Sequence, residues 1–171
     1  MKVDLLSVTE EPMPFNFRLQ PVEIDLDTEG VRLAGEIRVA GELTRNAAKT
    51  GVRGSVYAPL EIDCTRCLAP VKRDLDIVFQ IDFVDKEMFP DSKETHLESS
   101  DLDTDVIDGN ELDLAEVARE QIVLNLPEQV LCSEDCKGIC PTCGTDLNEG
   151  ECRCREDDID PRWQALKELK G

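Results

Sequence analysis

Apolar and polar residues alternate with a period of two over much of the first half of the chain, the pattern of strands with one buried and one wet face. Residues 15–24, FNFRLQPVEI, show an interrupted form of it. Residues 31–43, VRLAGEIRVAGEL, repeat it more cleanly, with Val31, Leu33, Ile37 and Val39 on one face. After the turn-like TRNAAKTG, a further strand carries Val52, Val56, Ala58, Leu60 and Ile62. Leu75, Ile77, Phe79, Ile81 and Phe83 then make the clearest alternation of all. Between these last two strands, residues 64–70, CTRCLAP, are short enough to be a hairpin connection, which presents Cys64 and Cys67 at a turn.

The period changes at residue 113. In DLAEVAREQIVLNLP, Asp113 suits an N-cap, Glu116 can reach back to complete a capping box, and Pro127 stops the helix. Leu114, Val117, Ala118, Ile122 and Leu124 supply its apolar face. Residues 82–113 hold twelve acidic residues and two lysines, Lys86 and Lys93, which predicts a solvated loop. The chain closes on DPRWQALKELKG, where Asp160 caps, Pro161 suits the first helical position, and Trp163, Leu166 and Leu169 recur at helical spacing, with Trp163 docking the helix onto the body. The expected fold is therefore α+β. An antiparallel sheet over residues 15–84, curled in the manner of a barrel, packs on a helix at 113–125; a cysteine-rich segment at 132–154 and a terminal helix follow. Residues 1–130 form the β-rich core and residues 131–171 the appended module, as one structural unit without internal repeats.

A length of 171 residues allows one ordinary domain with a small appendage. Aromatic residues are only 4% of the chain, so the core is expected to be aliphatic. The formal net charge of −19 is concentrated between residues 61 and 130, with 19 acidic residues against 6 basic ones. Such a chain repels phosphate backbones at long range and favours basic partners. The start, MKVDLLSVTEEPMPFNF, lacks the apolar run of a secretion signal, and no stretch reaches the length of a membrane span, so a cytoplasmic location is expected. In a reducing compartment, eight cysteines point to metal ligands or catalytic thiols ahead of structural disulfides.

Those eight fall into four pairs, enough for two tetrahedral sites. Zinc takes four thiolates about 2.3 Å away, and two intervening residues let a tight turn aim both sulfurs inward. CPTCG is such a knuckle, with Gly144 able to take a positive φ. Cys152 and Cys154 return eight residues later, so Cys140, Cys143, Cys152 and Cys154 can close a first site unaided. Cys64 and Cys67 at the hairpin tip, with Cys132 and Cys136 after the helix, would form a second that staples the module to the sheet. The plain alternative for each pair is a small buried hydrophobe or a reduced thiol. A redox alternative rests on the C-x-x-C spacing of CTRC beside Arg66, although such pairs open helices whereas strands flank this one.

Other motifs carry less. DLDTDVIDGNELD resembles a calcium loop, but Val106 and Leu112 stand where that loop needs glycine and glutamate. His96, the only histidine, lies in the acidic stretch away from any nucleophile. Lys137, Arg153 and Arg155 beside the knuckles, with Arg66, are candidate contacts to RNA; Glu134, Asp135, Glu149, Glu151 and Glu156 lie among them, and no aromatic is interleaved.

Taken in order, LEIDCTRCLAP, the acidic stretch, DLAEVAREQIVLNLP, LCSEDCKGICPTCGTDLNEGECRC and DPRWQALKEL resemble the YceD family of large ribosomal RNA subunit accumulation proteins. The resemblance covers roughly residues 15–170 and implies a non-enzymatic ribosome-biogenesis factor without a catalytic site or small-molecule substrate. It implies one or two zinc ions as cofactor. With the acidic middle of the chain, it points to a basic ribosomal protein or a large-subunit precursor particle as partner; direct binding of ribosomal RNA through the zinc module is the alternative function, and a thiol oxidoreductase using Cys64 or Cys67 the remaining one.

Overall fold

The computed structural model describes residues 1–46, 49–86 and 104–154. The expected terminal helix around Trp163, the histidine His96 and the candidate contact Arg155 lie outside the described residues. The elements run β1 (Lys2–Asp4), β2 (Met13–Leu19), β3 (Val31–Leu33), β4 (Ile37–Arg45), β5 (Thr50–Asp63), β6 (Pro70–Asp85), β7 (Thr104–Ile107), β8 (Glu111–Asp113) and α1 (Leu114–Leu124).

The strands predicted from the alternation form with their apolar sets facing one side, except that the first ends at Leu19 and Pro21–Glu23 make a 3-10 turn in place of its expected second half. Val39, Val56, Ala58 and Ile77 are buried while their chain neighbours Arg38, Ala40, Ser55 and Val78 are exposed. The strands order as β2-β4-β5-β6-β7, with β3 also on β5. The sheet is open: its edge strands β2 and β7 do not pair, and β7 runs parallel to β6. The expected barrel is thus corrected, while the pairings within residues 15–84 are antiparallel as expected and β7 adds a parallel strand from beyond them. The core is closed instead by α1 and the two-stranded β1–β8 ribbon, whose buried residues Val3, Leu112, Leu114, Val117, Ala118 and Ile122 join the sheet's inner face. Once that face is dry, closing the sheet on itself would bury no further apolar surface.

Residues 31–43 divide into two strands that pair with different parts of β5, β3 against Leu60–Ile62 and β4 against Thr50–Tyr57. On the inner face Phe15, Gly41, Gly54 and Phe79 fall in one row across β2, β4, β5 and β6. A Cβ on Gly41 would stand 2.6 Å from the Phe15 ring and 2.2 Å from the Arg53 carbonyl oxygen. The glycines thus make room for two aromatic rings.

The acidic stretch is not loop throughout. β6 extends to Asp85, and Thr104–Ile107 and Glu111–Asp113 are strands. Asp113 caps α1 by accepting from the Ala115 amide. Glu116 does not complete the box but turns to Arg119 at 2.7 Å, and Leu124, expected on the apolar face, is 76% exposed.

Candidate metal centres

The long antiparallel register of β5 with β6, from Thr50↔Phe83 to Asp63↔Pro70, carries the six-residue tip 64–69 to the end of the sheet. There Cys64 donates its amide to the Ala69 carbonyl at 2.8 Å and accepts from the Leu68 amide at 2.9 Å. The second knuckle repeats the pattern: the Cys140 amide donates to the Thr145 carbonyl at 2.8 Å, and the Gly144 amide donates back to Cys140 at 2.8 Å. Both turns need a left-handed residue after the second cysteine. Gly144 supplies it at φ +73°, and Leu68 takes it at φ +62°.

Two thiol tetrads result, Cys64, Cys67, Cys132 and Cys136, and Cys140, Cys143, Cys152 and Cys154, each with its sulfurs within 4.8 Å of one another. In the first, the Sγ atoms of Cys64 and Cys136 are 3.8 Å apart and those of Cys67 and Cys132 are 3.5 Å apart. A tetrahedron with metal–sulfur arms of about 2.3 Å has edges of about 3.8 Å. A disulfide would need about 2.05 Å, and all eight thiols are unbridged.

Charge is divided unevenly within each tetrad. Burial opposes the Cys64 thiolate, but amides of Arg66, Cys67 and Cys132 outweigh it and draw its pKa down to about 6. At Cys140 the amides of Cys143 and Thr142 do the same, again to about 6. The Thr145 hydroxyl, 3.1 Å away, and its amide lower Cys143. Their neighbours are pushed the other way. The Ala69 amide favours a thiolate at Cys67, yet burial and the sulfurs of Cys132, Cys64 and Cys136 drive its pKa up to about 12. Cys154 is likewise raised to about 12, chiefly by Cys143 and by burial. Without a cation, four sulfurs this close cannot all ionise; a divalent ion removes that conflict. The all-thiolate donor sets, the knuckle turns and the sulfur spacing fit a tetrahedral soft metal at both places.

The first tetrad is the more enclosed. Cys64, Cys67 and Cys136 are buried, whereas in the second only Cys140 is. The hairpin tip is fastened to the chain beyond α1 by Thr65, whose amide and hydroxyl both donate to the Val130 carbonyl, at 2.8 and 3.0 Å.

Two residues with no sequence motif join the tetrads. Asn148 accepts from the Lys137 amide at 2.7 Å and directs its Nδ2 at the Cys136 sulfur, 3.6 Å away. Gly138, at φ +76°, lets the chain pass the Arg66 carbonyl so closely that a Cβ would lie 2.9 Å from that oxygen, which itself accepts from the Ile139 amide. Of the candidate RNA contacts, Arg66 is engaged in the same joint, its Nη1 donating to the Cys136 carbonyl at 2.9 Å. Lys137 and Arg153 are exposed on the module. The structure does not gather them into one cationic patch, since Glu134, Asp135, Glu149 and Glu151 are exposed among them. Among the described residues, no helix is long and apolar enough to cross a membrane.

The family described as large ribosomal RNA subunit accumulation protein YceD matches residues 52–170, a stretch that includes the hairpin, both tetrads and α1. The chain belongs to the YceD family. An uncharacterised protein of Mycobacterium tuberculosis is 35% identical over 120 residues, covering 70% of this chain and 55% of its own length. The maize chloroplastic protein named large ribosomal RNA subunit accumulation protein YCED homolog 1 is 27% identical over 171 residues, covering 85% and 56%. The uncharacterised Bacillus subtilis protein YlbN is 22% identical over 166 residues, covering 96% and 92%. The chain therefore spans little more than half the length of its mycobacterial and maize relatives. No solved structure matches it.

Proposed function

We propose that this YceD-family chain is a non-enzymatic factor in the accumulation of large-subunit ribosomal RNA. Its family membership carries the reading, because the maize and Arabidopsis relatives bear that role in their names. Zinc is the metal assigned to both tetrads. It is held by Cys64, Cys67, Cys132 and Cys136 at one and by Cys140, Cys143, Cys152 and Cys154 at the other, and it supplies folding energy there, since four protein ligands leave no open position for a substrate. The net charge of −19 favours a basic ribosomal protein, or a basic face of a large-subunit precursor, as the partner.

Depleting the protein in its native cell is expected to lower large-subunit relative to small-subunit ribosomal RNA, and re-expression to restore the ratio. A ratio that does not move overturns the proposal. Capture on the tagged, zinc-loaded protein is expected to enrich basic ribosomal proteins.

A further inference from the structure

The inner face of the sheet is covered; the outer face is not. Two arginines, Arg18 on β2 and Arg38 on β4, stand directly opposite each other there. Like charges in register on neighbouring strands destabilise a sheet, so packing alone does not account for them. Arg18 is relieved by Glu36 at 3.1 Å, an exposed pair that contributes little and exchanges readily. Arg38 has no carboxylate ion pair among the described residues; its guanidinium lies over the Tyr57 ring of β5, 4.3 Å from the centroid.

The next row along the same face is Asn16, Ala40, Ser55 and Val78, all exposed, with Val78 at 88%. The row beyond holds Glu42, Arg53 and Gln80 in register. Alternate residues on one strand face are about 7 Å apart. The result is a shallow trough roughly 14 Å between its flanks, floored by small side chains. One flank is the Arg18–Arg38–Tyr57–Asp76 row, and the other is a mixed donor and acceptor row.

We infer that this outer sheet face binds single-stranded RNA across strands β2, β4, β5 and β6, with Arg38 stacked on Tyr57 as its central contact. The inference rests on the ribosomal RNA role proposed above and names where RNA is touched. Guanidinium planes and aromatic rings are platforms for unstacked bases, and a floor of Ala40, Ser55 and Asn16 leaves room for them. Arg18 and Arg38 meet the phosphates, while Glu42, Arg53 and Gln80 offer both donors and acceptors to base edges. A basic protein would find no excess of acid here, since Arg18, Arg38 and Arg53 stand among Glu36, Glu42 and Asp76. An acidic peptide would use the charge but not the flat stacked surface. The contact is short-ranged, because a chain of net charge −19 opposes phosphates at a distance.

The test uses the whole zinc-loaded protein and a short fluorescent single-stranded RNA of mixed sequence at low ionic strength. Binding is expected, with a modest salt dependence of about 0.7 per phosphate neutralised, and duplex RNA of the same sequence should bind more weakly. Arg38→Glu and Tyr57→Leu should each lower affinity roughly tenfold. Ala40→Glu, which obstructs the floor and leaves Arg38 in place, should do the same, and all three should melt as the parent does. Lys137→Glu with Arg153→Glu should leave affinity unchanged. Loss of binding only in that last variant would move the contact to the zinc module and overturn the inference. So would equal competition by polyglutamate, which reports a general anion site, or the absence of RNA binding altogether. The last outcome, found alongside a depletion that still lowers large-subunit RNA, would leave the functional reading standing without this surface.

Discussion

Leu68 holds a left-handed conformation at φ +62° with its side chain 61% exposed, doing at the first knuckle what Gly144 does at the second. An L-residue there costs roughly 1–2 kcal/mol, and the exposed side chain returns little packing. Leu68→Gly is therefore expected to stabilise the metal-loaded protein by about 1 kcal/mol, and Gly144→Ala to destabilise it by about as much, both read from the denaturant midpoint. Asn148 acts through the sulfur it faces. Removing its amide in Asn148→Ala should weaken metal retention at the first tetrad about 10–100-fold, measured by competition with a chromophoric chelator, while the second tetrad, which Asn148 does not contact, keeps its affinity. The cysteine spacing makes the ligand types legible in advance. Gly138 and the carbonyl-bound Arg66 were not legible, because what defines them is the approach of two segments about seventy residues apart. Asn148 was not, because its contacts to Lys137 and Cys136 depend on how the module's loop folds back.

At the scale of the element, period-two alternation locates β2, β4, β5 and β6 because each strand has one dry face. It misses β7 and β8, short strands in the acidic stretch, where the edge pairing of β7 with β6 and of β8 with β1 overrides composition. The Phe15–Gly41–Gly54–Phe79 row shows the same limit from the other side. Glycine is a poor strand residue by propensity, yet here it is the only side chain that fits beneath the two rings. Gly41→Ala should lower stability by roughly 1–3 kcal/mol. The chain neighbour Ala40, which faces water, should accept serine within about 0.5 kcal/mol. Equal effects at the two positions would mean the ring contacts do not constrain the sheet.

At the scale of the molecule, the first tetrad reinforces a joint between distant parts that otherwise rests on a few hydrogen bonds, those of Thr65 with Val130, Arg66 with Cys136 and Ile139 with Arg66. Cys64 and Cys67 belong to the sheet, Cys132 and Cys136 to the segment after α1, and the second tetrad closes only the chain between 140 and 154. Few buried apolar residues support that segment. Titrating the protein with a strong chelator is expected to remove the metal of the more exposed second tetrad first. Amides 138–154 should then lose hydrogen-exchange protection while the sheet keeps it; removing the second ion should release residues 130–136 from the hairpin tip. Simultaneous loss of both ions with global unfolding would show that the two sites are one cooperative unit.

The sequence by itself determined the strand and helix faces and the cysteine pairs at knuckle spacing, because these are local: a period of two, a cap at Asp113 and a tight turn between thiols need no distant partner. Tertiary structure alone decided that the sheet stays open, since that depends on α1 and the β1–β8 ribbon reaching its inner face first. It also decided how the tetrads are joined, and it left Arg18, Arg38 and Tyr57 side by side on the wet face. Their adjacency is a matter of strand register, and register is set by pairings between strands that no single stretch of sequence contains.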